Sequence, residues 1–442
     1  MSKSKIYTPS EFNSMVVYTN TPANGEEIVL LKNAPVSFAS KSLHYGAVNF
    51  EGAKVVVHPS ENGKHRLYIL HYDWNAARLN FGIESWGYGK SPMTVEQHML
   101  SLVNILYANG WDAKPVVSLE GSRTPCSDMY VRSLAYLGEA NDIRLRNNQP
   151  FGVGLIVSPQ LSYHVPGSQP GMAVLHIPEP RNLAAPHQKR ADNYPNSMKW
   201  VRIMEKFLEW VVRENPKIFV DGKEAVGETK TKAVLFLSQN LKEILFHNRD
   251  GAITEGSAEN VGIVKKDVMK TPPIEAGALP GFTMQKAELA ADFHGLAVKR
   301  KPFGLQELLK ADLAFMTGNA AGAVPINAVV KCGWTQHDDL NYSFHGPVRI
   351  AMVGNPIGMG HHQNIKKELD AMLAGKSPLG KFGLYADEFV SKNDVKEIRE
   401  KTADMMHEQG KRLKTGLAGQ APENFRTTTA KPIMYAKMLK IR

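Results

Sequence analysis

Residues His187–Trp200 read HQKRADNYPNSMKW, a polar, proline-punctuated run that sets Lys189 five residues before Tyr194. A lysine taken at random is a solvated surface cation, so its meaning depends on what surrounds it. Just upstream, HIPEPRNLAAPHQ breaks the alternation of the preceding strands, and a domain boundary is expected there. Downstream, PNSMKWVRIMEKFLEWVVREN has the period of a long helix. After it, KAVLFLS and EILFHNRDGAITEG read as strands, MQKAELAADFHGLA as a helix and DLAFMTG as a strand.

The first third alternates in the same way. EEIVLLKNAPVSF, AKVVVHP, HRLYILH, DMYVRSLAYLG and FGVGLIVSPQLSY are rich in β-branched and aromatic residues and are expected as strands. DWNAARLNFGI and TVEQHMLSLVNILYANG are expected as helices, the second closed by Gly110. The resulting division is a small mixed domain over 1–177, a linker over 178–186 and a larger domain over 187–330. That larger domain carries an added helix and loop near 206–231, and a mainly helical extension follows over 331–442.

With 442 residues the chain exceeds one ordinary hydrophobic core, and 43% hydrophobic with 22% charged residues is the composition of a folded protein. Cys126 and Cys332 have no metal-site or disulfide-framework spacing, so no metal is expected and a reducing, cytoplasmic setting is. Neither a secretory leader nor a run of about 18 apolar residues is read. The net charge of +10 is concentrated from Ser391 onward, where twelve Lys/Arg face six Asp/Glu. Those cations alternate with acids at helical spacing, which favours a solvated helical face over a nucleic-acid footprint.

Four short motifs follow one another: KRADNY, ITEGSAENVGIV, ALPGFTMQKAEL and FMTGNAAGAVPI. The last two are small-residue turns near a helix start, where backbone amides and the Thr283 hydroxyl favour an anion. Glu255, at the turn after DGAIT, is an acid suited to a ring nitrogen. Taken singly, each has an ordinary structural explanation. Their joint occurrence after a Lys/Tyr pair is what points to a phosphorylated, aromatic, cationic cofactor.

Together with HYGAVNFEGAK, NAARL and MYVRSLAYLG, these motifs resemble in order those of the fold-type IV pyridoxal-phosphate enzymes, most closely the branched-chain-amino-acid aminotransferases. The resemblance runs from about Val36 to Ala328. It implies a mixed α+β and α/β two-domain fold like that of D-amino-acid aminotransferases, pyridoxal 5'-phosphate as cofactor, and a homodimer with active sites at the subunit interface. Lys189 is then the catalytic lysine that forms the Schiff base, and Tyr194 the partner of the cofactor's phenolic oxygen. Glu255 pairs with the ring nitrogen, and Arg78 holds the phosphate with Phe282, Thr283, Gly318 and Asn319. Many relatives have threonine where this chain has Asn319. On the substrate side the resemblance implies Tyr45, Phe50, Tyr130, Arg132, Tyr163 and Ala320, with Tyr130 and Arg132 as the Tyr-x-Arg pair of branched-chain enzymes.

The activity so implied is transfer of an amino group from a hydrophobic L-amino acid to a 2-oxo acid such as 2-oxoglutarate, by a ping-pong route through a Lys189 aldimine. The same fold also carries lyases of the aminodeoxychorismate type and enzymes for D-amino acids or (R)-amines. A basic scaffold without enzymatic activity stands as the reading from another class. GNPIGMGHHQN matches neither a P-loop nor a dinucleotide fingerprint and reads as a Gly-rich loop, with His361 and His362 too close in sequence to share a helix face.

Overall fold

The computed structural model describes residues 16–400 except 22–24, 35, 60–64, 88, 113–115, 120–121, 126–127, 138–150, 160–170, 182–184, 320, 339–341 and 392–393. Tyr163, Ala320 and the basic tail beyond 400 therefore lie outside the described residues.

Alternating burial builds the first sheet. β1 (Val16–Thr21), β2 (Gly25–Leu30), β3 (Val48–Pro59), β4 (His65–Leu70), β7 (Asp128–Tyr136) and β8 (Gly152–Pro159) pair antiparallel in the order β4-β3-β7-β8-β1-β2. Met129, Val131, Ser133 and Ala135 of β7 are buried and alternate with less buried neighbours, the pattern of a strand with one face in the core. A short hairpin, β5 (Val116–Leu119) with β6 (Ser122–Pro125), precedes β7. After the five-residue α1 (Lys41–Tyr45), α2 (Tyr72–Glu84) and α3 (Val95–Ala108) pack on this sheet. A capping box starts α3, with Thr94 and Gln97 each satisfying the other's backbone amide.

The second sheet has ten strands. β11 (Lys223–Ala225), β10 (Ile218–Val220), β18 (Tyr342–Met352), β17 (Gly322–Gln336), β16 (Leu313–Gly318), β13 (Asn260–Lys265), β14 (Val268–Thr271) and β15 (Ala297–Arg300) lie in that order. β9 (Met172–Pro180) runs parallel to both β17 and β12 (Leu241–His247). The expected division at 177 thus falls inside β9, and the one at 330 inside β17, because each strand continues its apolar pairing past the proline-rich or polar residues that suggested a break.

Helices α4 (Pro195–Glu214) and α5 (Gly227–Asn240) flank the β10–β11 hairpin. KAVLFLS, expected as a strand, is the body of α5; Ala233 and Leu237, one turn apart, are its buried face. The segment after 330 is not mainly helical where it is described. β17 and β18 form a long hairpin whose aromatic face meets α4, with Trp200–Trp334 centroids 4.6 Å and Phe207–Phe344 centroids 5.4 Å apart. The added segment near 206–231 and the late hairpin are therefore parts of one substructure, joined also by parallel pairing of β10 with β18.

GNPIGMGHH is a helix start, not a loop. Asn355 caps α8 (Pro356–Leu373), Pro356 occupies its first turn, and a Cβ at Gly358 would collide with the Asp312 carbonyl. The glycine thus allows the helix to approach the strand region rather than loosening the chain. Between the sheets, α6 (Phe282–Phe293) packs against α8. The short α7 (Leu305–Leu309) follows, and β19 (Gly383–Tyr385) adds an edge strand to β4 of the first sheet. The late segment therefore touches both sheets. Among the described residues no helix is long and apolar enough to cross a membrane.

Candidate active site

Lys189 lies on the strap between the two sheets, and its backbone is pinned before its side chain is. The Phe50 amide donates to the Lys189 carbonyl at 3.0 Å, and Asn49 bridges Arg190, so the strap lies along β3. Lys189 Nζ then reaches the Tyr194 hydroxyl at 2.7 Å. The 3-10 turn Ala191–Asn193 creates this approach by folding the four intervening residues back. Asn193, buried, donates to the Ala185 and Gln188 carbonyls and holds the turn shut.

Phe50 forms an aromatic floor. Its ring lies 4.9 Å from the Tyr194 ring, with Lys189 Nζ 5.0 Å and the Arg132 guanidinium 4.5 Å from its centroid. Arg132 donates to the Tyr130 hydroxyl at 3.0 Å. That hydroxyl occupies the space a Cβ at Gly52 would take, so glycine there lets the tyrosine tip lie against β3. Five of the residues implied by the motifs, Lys189, Tyr194, Phe50, Tyr130 and Arg132, thus come together. Tyr45 does not join them: it is exposed on α1 beside exposed Leu43 and Phe38.

Glu255 is buried and bonded on both oxygens. Oε2 accepts from the Leu279 amide at 3.0 Å and from Asn260 at 3.3 Å, and Oε1 is in ion-pair contact with Arg181. Arg181, missed in the sequence, is buried at the end of β9, and burial pushes its guanidinium down to about 10 against the opposing pull of Tyr194 and Glu243. Behind the lysine lie two further buried acids, Glu243 and Glu259. Ser257 bonds Glu243 through both its amide and its hydroxyl, at 3.0 and 2.8 Å. Burial, and after it the hydrogen bond to Glu243, pushes the Glu259 carboxyl well above the ordinary carboxylate range; the Lys189 charge opposes this.

The phosphate-side residues form a second group. Arg78 on α2 grips Glu51 with Nε to Oε1 at 2.6 Å and Nη2 to Oε2 at 2.8 Å, a two-pronged ion pair, and Nη1 donates to the Pro280 carbonyl at 2.7 Å. Its guanidinium lies 4.1 Å from the centroid of the Phe282 ring. Thr283 Oγ1 donates to Asn319 Oδ1 at 2.5 Å, and Asn319 Nδ2 donates to the Gly52 carbonyl. Gly318 ends β16 beside Asn319. Glu51, the acid that orients Arg78, lies in the quoted motif HYGAVNFEGAK but was given no role there, since its partner is 27 residues away.

This donor set fits pyridoxal phosphate. An amine and a phenol stand 2.7 Å apart at one end, a buried carboxylate waits at a second position, and cationic and hydroxyl groups gather around two turns at a third. Arg181 Nε, on the residue that contacts Glu255, is buried without a hydrogen-bond partner among the described residues.

Comparison with known proteins gives the same picture. Residues 231–329 match the family model described as amino-transferase class IV. The branched-chain-amino-acid aminotransferase of Escherichia coli K12 is 38% identical over 80 residues, 18% of this chain and 26% of that protein. The chain thus matches about a quarter of the length of such curated relatives. An Aquifex aeolicus protein named "Probable branched-chain-amino-acid aminotransferase" is 25% identical over 316 residues, 68% of this chain and 81% of the relative. Among solved structures, the branched-chain aminotransferase of Thermoproteus uzoniensis with norvaline has a TM-score of 0.60 at 22% identity, covering 84% of this chain and 99% of that one.

Proposed function

We propose that this chain, whose segment 231–329 matches the amino-transferase class IV family model and whose fold is shared with a solved branched-chain aminotransferase, moves an amino group from a hydrophobic L-amino acid to a 2-oxo acid, with 2-oxoglutarate as acceptor. The observation that carries the proposal is the 2.7 Å contact of Lys189 Nζ with Tyr194 on a strap fastened to β3. Pyridoxal phosphate, when bound, supplies an electrophilic aldehyde and a ring that takes up the electron pair left by the α-proton.

The chain's own residues do the rest. Lys189 Nζ would hold the cofactor through its aldehyde carbon and, when free, would serve as the base that takes the substrate's α-proton and gives it back. Tyr194 fixes the amine's position and donates to the ring's phenolic oxygen. Glu255, braced by Arg181 and the Leu279 amide, holds a proton on the ring nitrogen. Arg78, Thr283 and Asn319, with the amides of Phe282 and Gly318, hold the phosphate. Arg132 and Tyr130, beside the apolar Phe50 ring, would receive the substrate carboxylate, and their Tyr-x-Arg pattern resembles that of the transferases rather than the lyases. Both half-reactions use one site in turn, which makes the kinetics ping-pong.

A homodimer is part of the same proposal. Phe38 is 90% exposed and Leu43 61%, an apolar patch that also carries Tyr45, and a second copy covering it would bring Tyr45 to the neighbouring site. Cysteine usage supports a cytoplasmic setting. The test is a half-reaction screen: the cofactor-loaded chain is titrated with L- and D-amino acids and amines. Conversion of the yellow form by branched L-amino acids is expected; conversion by D-amino acids alone would overturn the substrate class.

A further inference from the structure

One buried cation takes no part in this mechanism. Lys286, on the second turn of α6, is 4% exposed and has no hydrogen-bond or ion-pair partner among the described residues. It lines a cavity with Lys54, Asn75, Thr283, Gly318 and Asn319. Lys54 is already neutralised by Asp128, 2.8 Å from its Nζ. Lys286 is not.

A buried ammonium without a counter-charge is costly, and a bound anion offsets that cost. Burial, with the Lys54 charge added, pushes the Lys286 amine down to about 8. The cavity measures about 40 Å³. Since one water needs roughly 10–15 Å³ by this measure, it has room for a group the size of a tetrahedral oxyanion. Thr283 in the first turn of α6 places that helix's positive end at the same cavity. The far wall is apolar, from Leu369 and Met372 of α8.

We propose that Lys286 makes this cavity a phosphate-class oxyanion site, closed from behind by α8. Thr283, Gly318 and Asn319 are shared with the turns assigned to the cofactor, so the cofactor's own phosphate monoester is one source of the anion, an assignment that rests on the function proposed above; free inorganic phosphate is the other.

The test is calorimetric titration of the full apo chain with inorganic phosphate at pH 7, for the wild type, Lys286→Met and Lys286→Arg. Lys286→Met is expected to weaken phosphate binding about tenfold or more and Lys286→Arg to retain it, while NMR of the wild-type amine shows its pKa rising on binding. Repeating the titration on chain loaded with pyridoxal phosphate identifies the source. Loss of the phosphate heat, with weaker cofactor binding in Lys286→Met, assigns the cofactor's phosphate; retention assigns free phosphate. Phosphate and cofactor affinities unchanged in a folded Lys286→Met, or an amine pKa that phosphate does not move, would overturn the proposal. Should Lys286→Met not fold, the Arg variant and the NMR titration decide. Failure of the aminotransferase reading shows separately, as absence of any Lys189-dependent absorbance, and leaves the apo titration valid.

Discussion

The Tyr130 hydroxyl stands in the space that a Cβ at Gly52 would occupy, so the strand carrying Phe50 and the tyrosine proposed to meet the substrate are fitted to each other. Gly52→Ala is expected to displace that hydroxyl and break its 3.0 Å bond from Arg132, while the far end of the tyrosine swings aside at a modest cost in stability of about 1 kcal/mol. Steady-state kinetics should show KM for the amino acid raised about tenfold with a smaller change in kcat. An unchanged KM would mean that Tyr130 and Arg132 do not meet the substrate.

Arg181 and Glu255 form a buried ion pair whose halves depend on each other. Removing one partner of such a pair costs about 3–5 kcal/mol, because the remaining charge is stranded. Arg181→Met is therefore expected to lower the thermal midpoint sharply and to weaken pyridoxal phosphate binding, with Arg181→Met/Glu255→Gln recovering most of the stability but not the cofactor affinity. A midpoint within a degree or two of wild type would refute the dependence.

Glu259 is buried against Glu243 and its carboxyl is held well above the ordinary range. A raised folded-state pKa means that the folded chain keeps a proton the unfolded chain has lost, so this group's contribution is full below the unfolded value and declines as pH rises through the folded one. Glu259→Gln mimics the protonated acid. Denaturant unfolding is expected to give near-equal stability for variant and wild type at mildly acidic pH, with the variant gaining as pH rises. A variant that loses stability in parallel with wild type would contradict a protonated Glu259.

His98 behaves in the opposite sense. Buried on α3 and bonded from Nε2 to Asn80 Oδ1 at 3.0 Å, it is pushed by burial down to about 4. Between the ordinary histidine value of about 6.5 and about 4, the unfolded chain binds a proton that the folded chain refuses. Stability is thus full above the ordinary value and falls as pH drops through this window, by on the order of 3 kcal/mol for this group. Comparing unfolding at pH 7 and pH 5, His98→Asn should flatten the acid loss. An equal slope in both proteins would show that His98 does not carry it.

Much of this was legible where a local pattern decides structure. TVEQHMLSLVNILYANG became α3 because its cap and apolar spacing agree, and DMYVRSLAYLG became β7 because its alternation matches one buried face. KAVLFLS misled because a run of β-branched and aromatic residues looks like a strand, whereas its burial repeats at one helical turn, through Ala233 and Leu237. GNPIGMGHH misled because Gly358 is there for close approach to Asp312, which no local pattern announces. Within the site, Lys189 and Tyr194 were singled out by the order of the motifs around them and the resemblance those motifs carry, not by their spacing alone. Glu51, Arg181, Glu259 and Lys286 were not: their meaning comes from partners, or from missing partners, brought near only by the packed sheets.

The visible spectrum of the full chain loaded with pyridoxal phosphate, followed by borohydride reduction and mapping of the modified peptide, tests the central claim most directly. The account predicts a yellow band that is absent in Lys189→Ala and a reduced label on Lys189 alone. A band that survives in Lys189→Ala, or a label on Lys286 or another lysine, would contradict it.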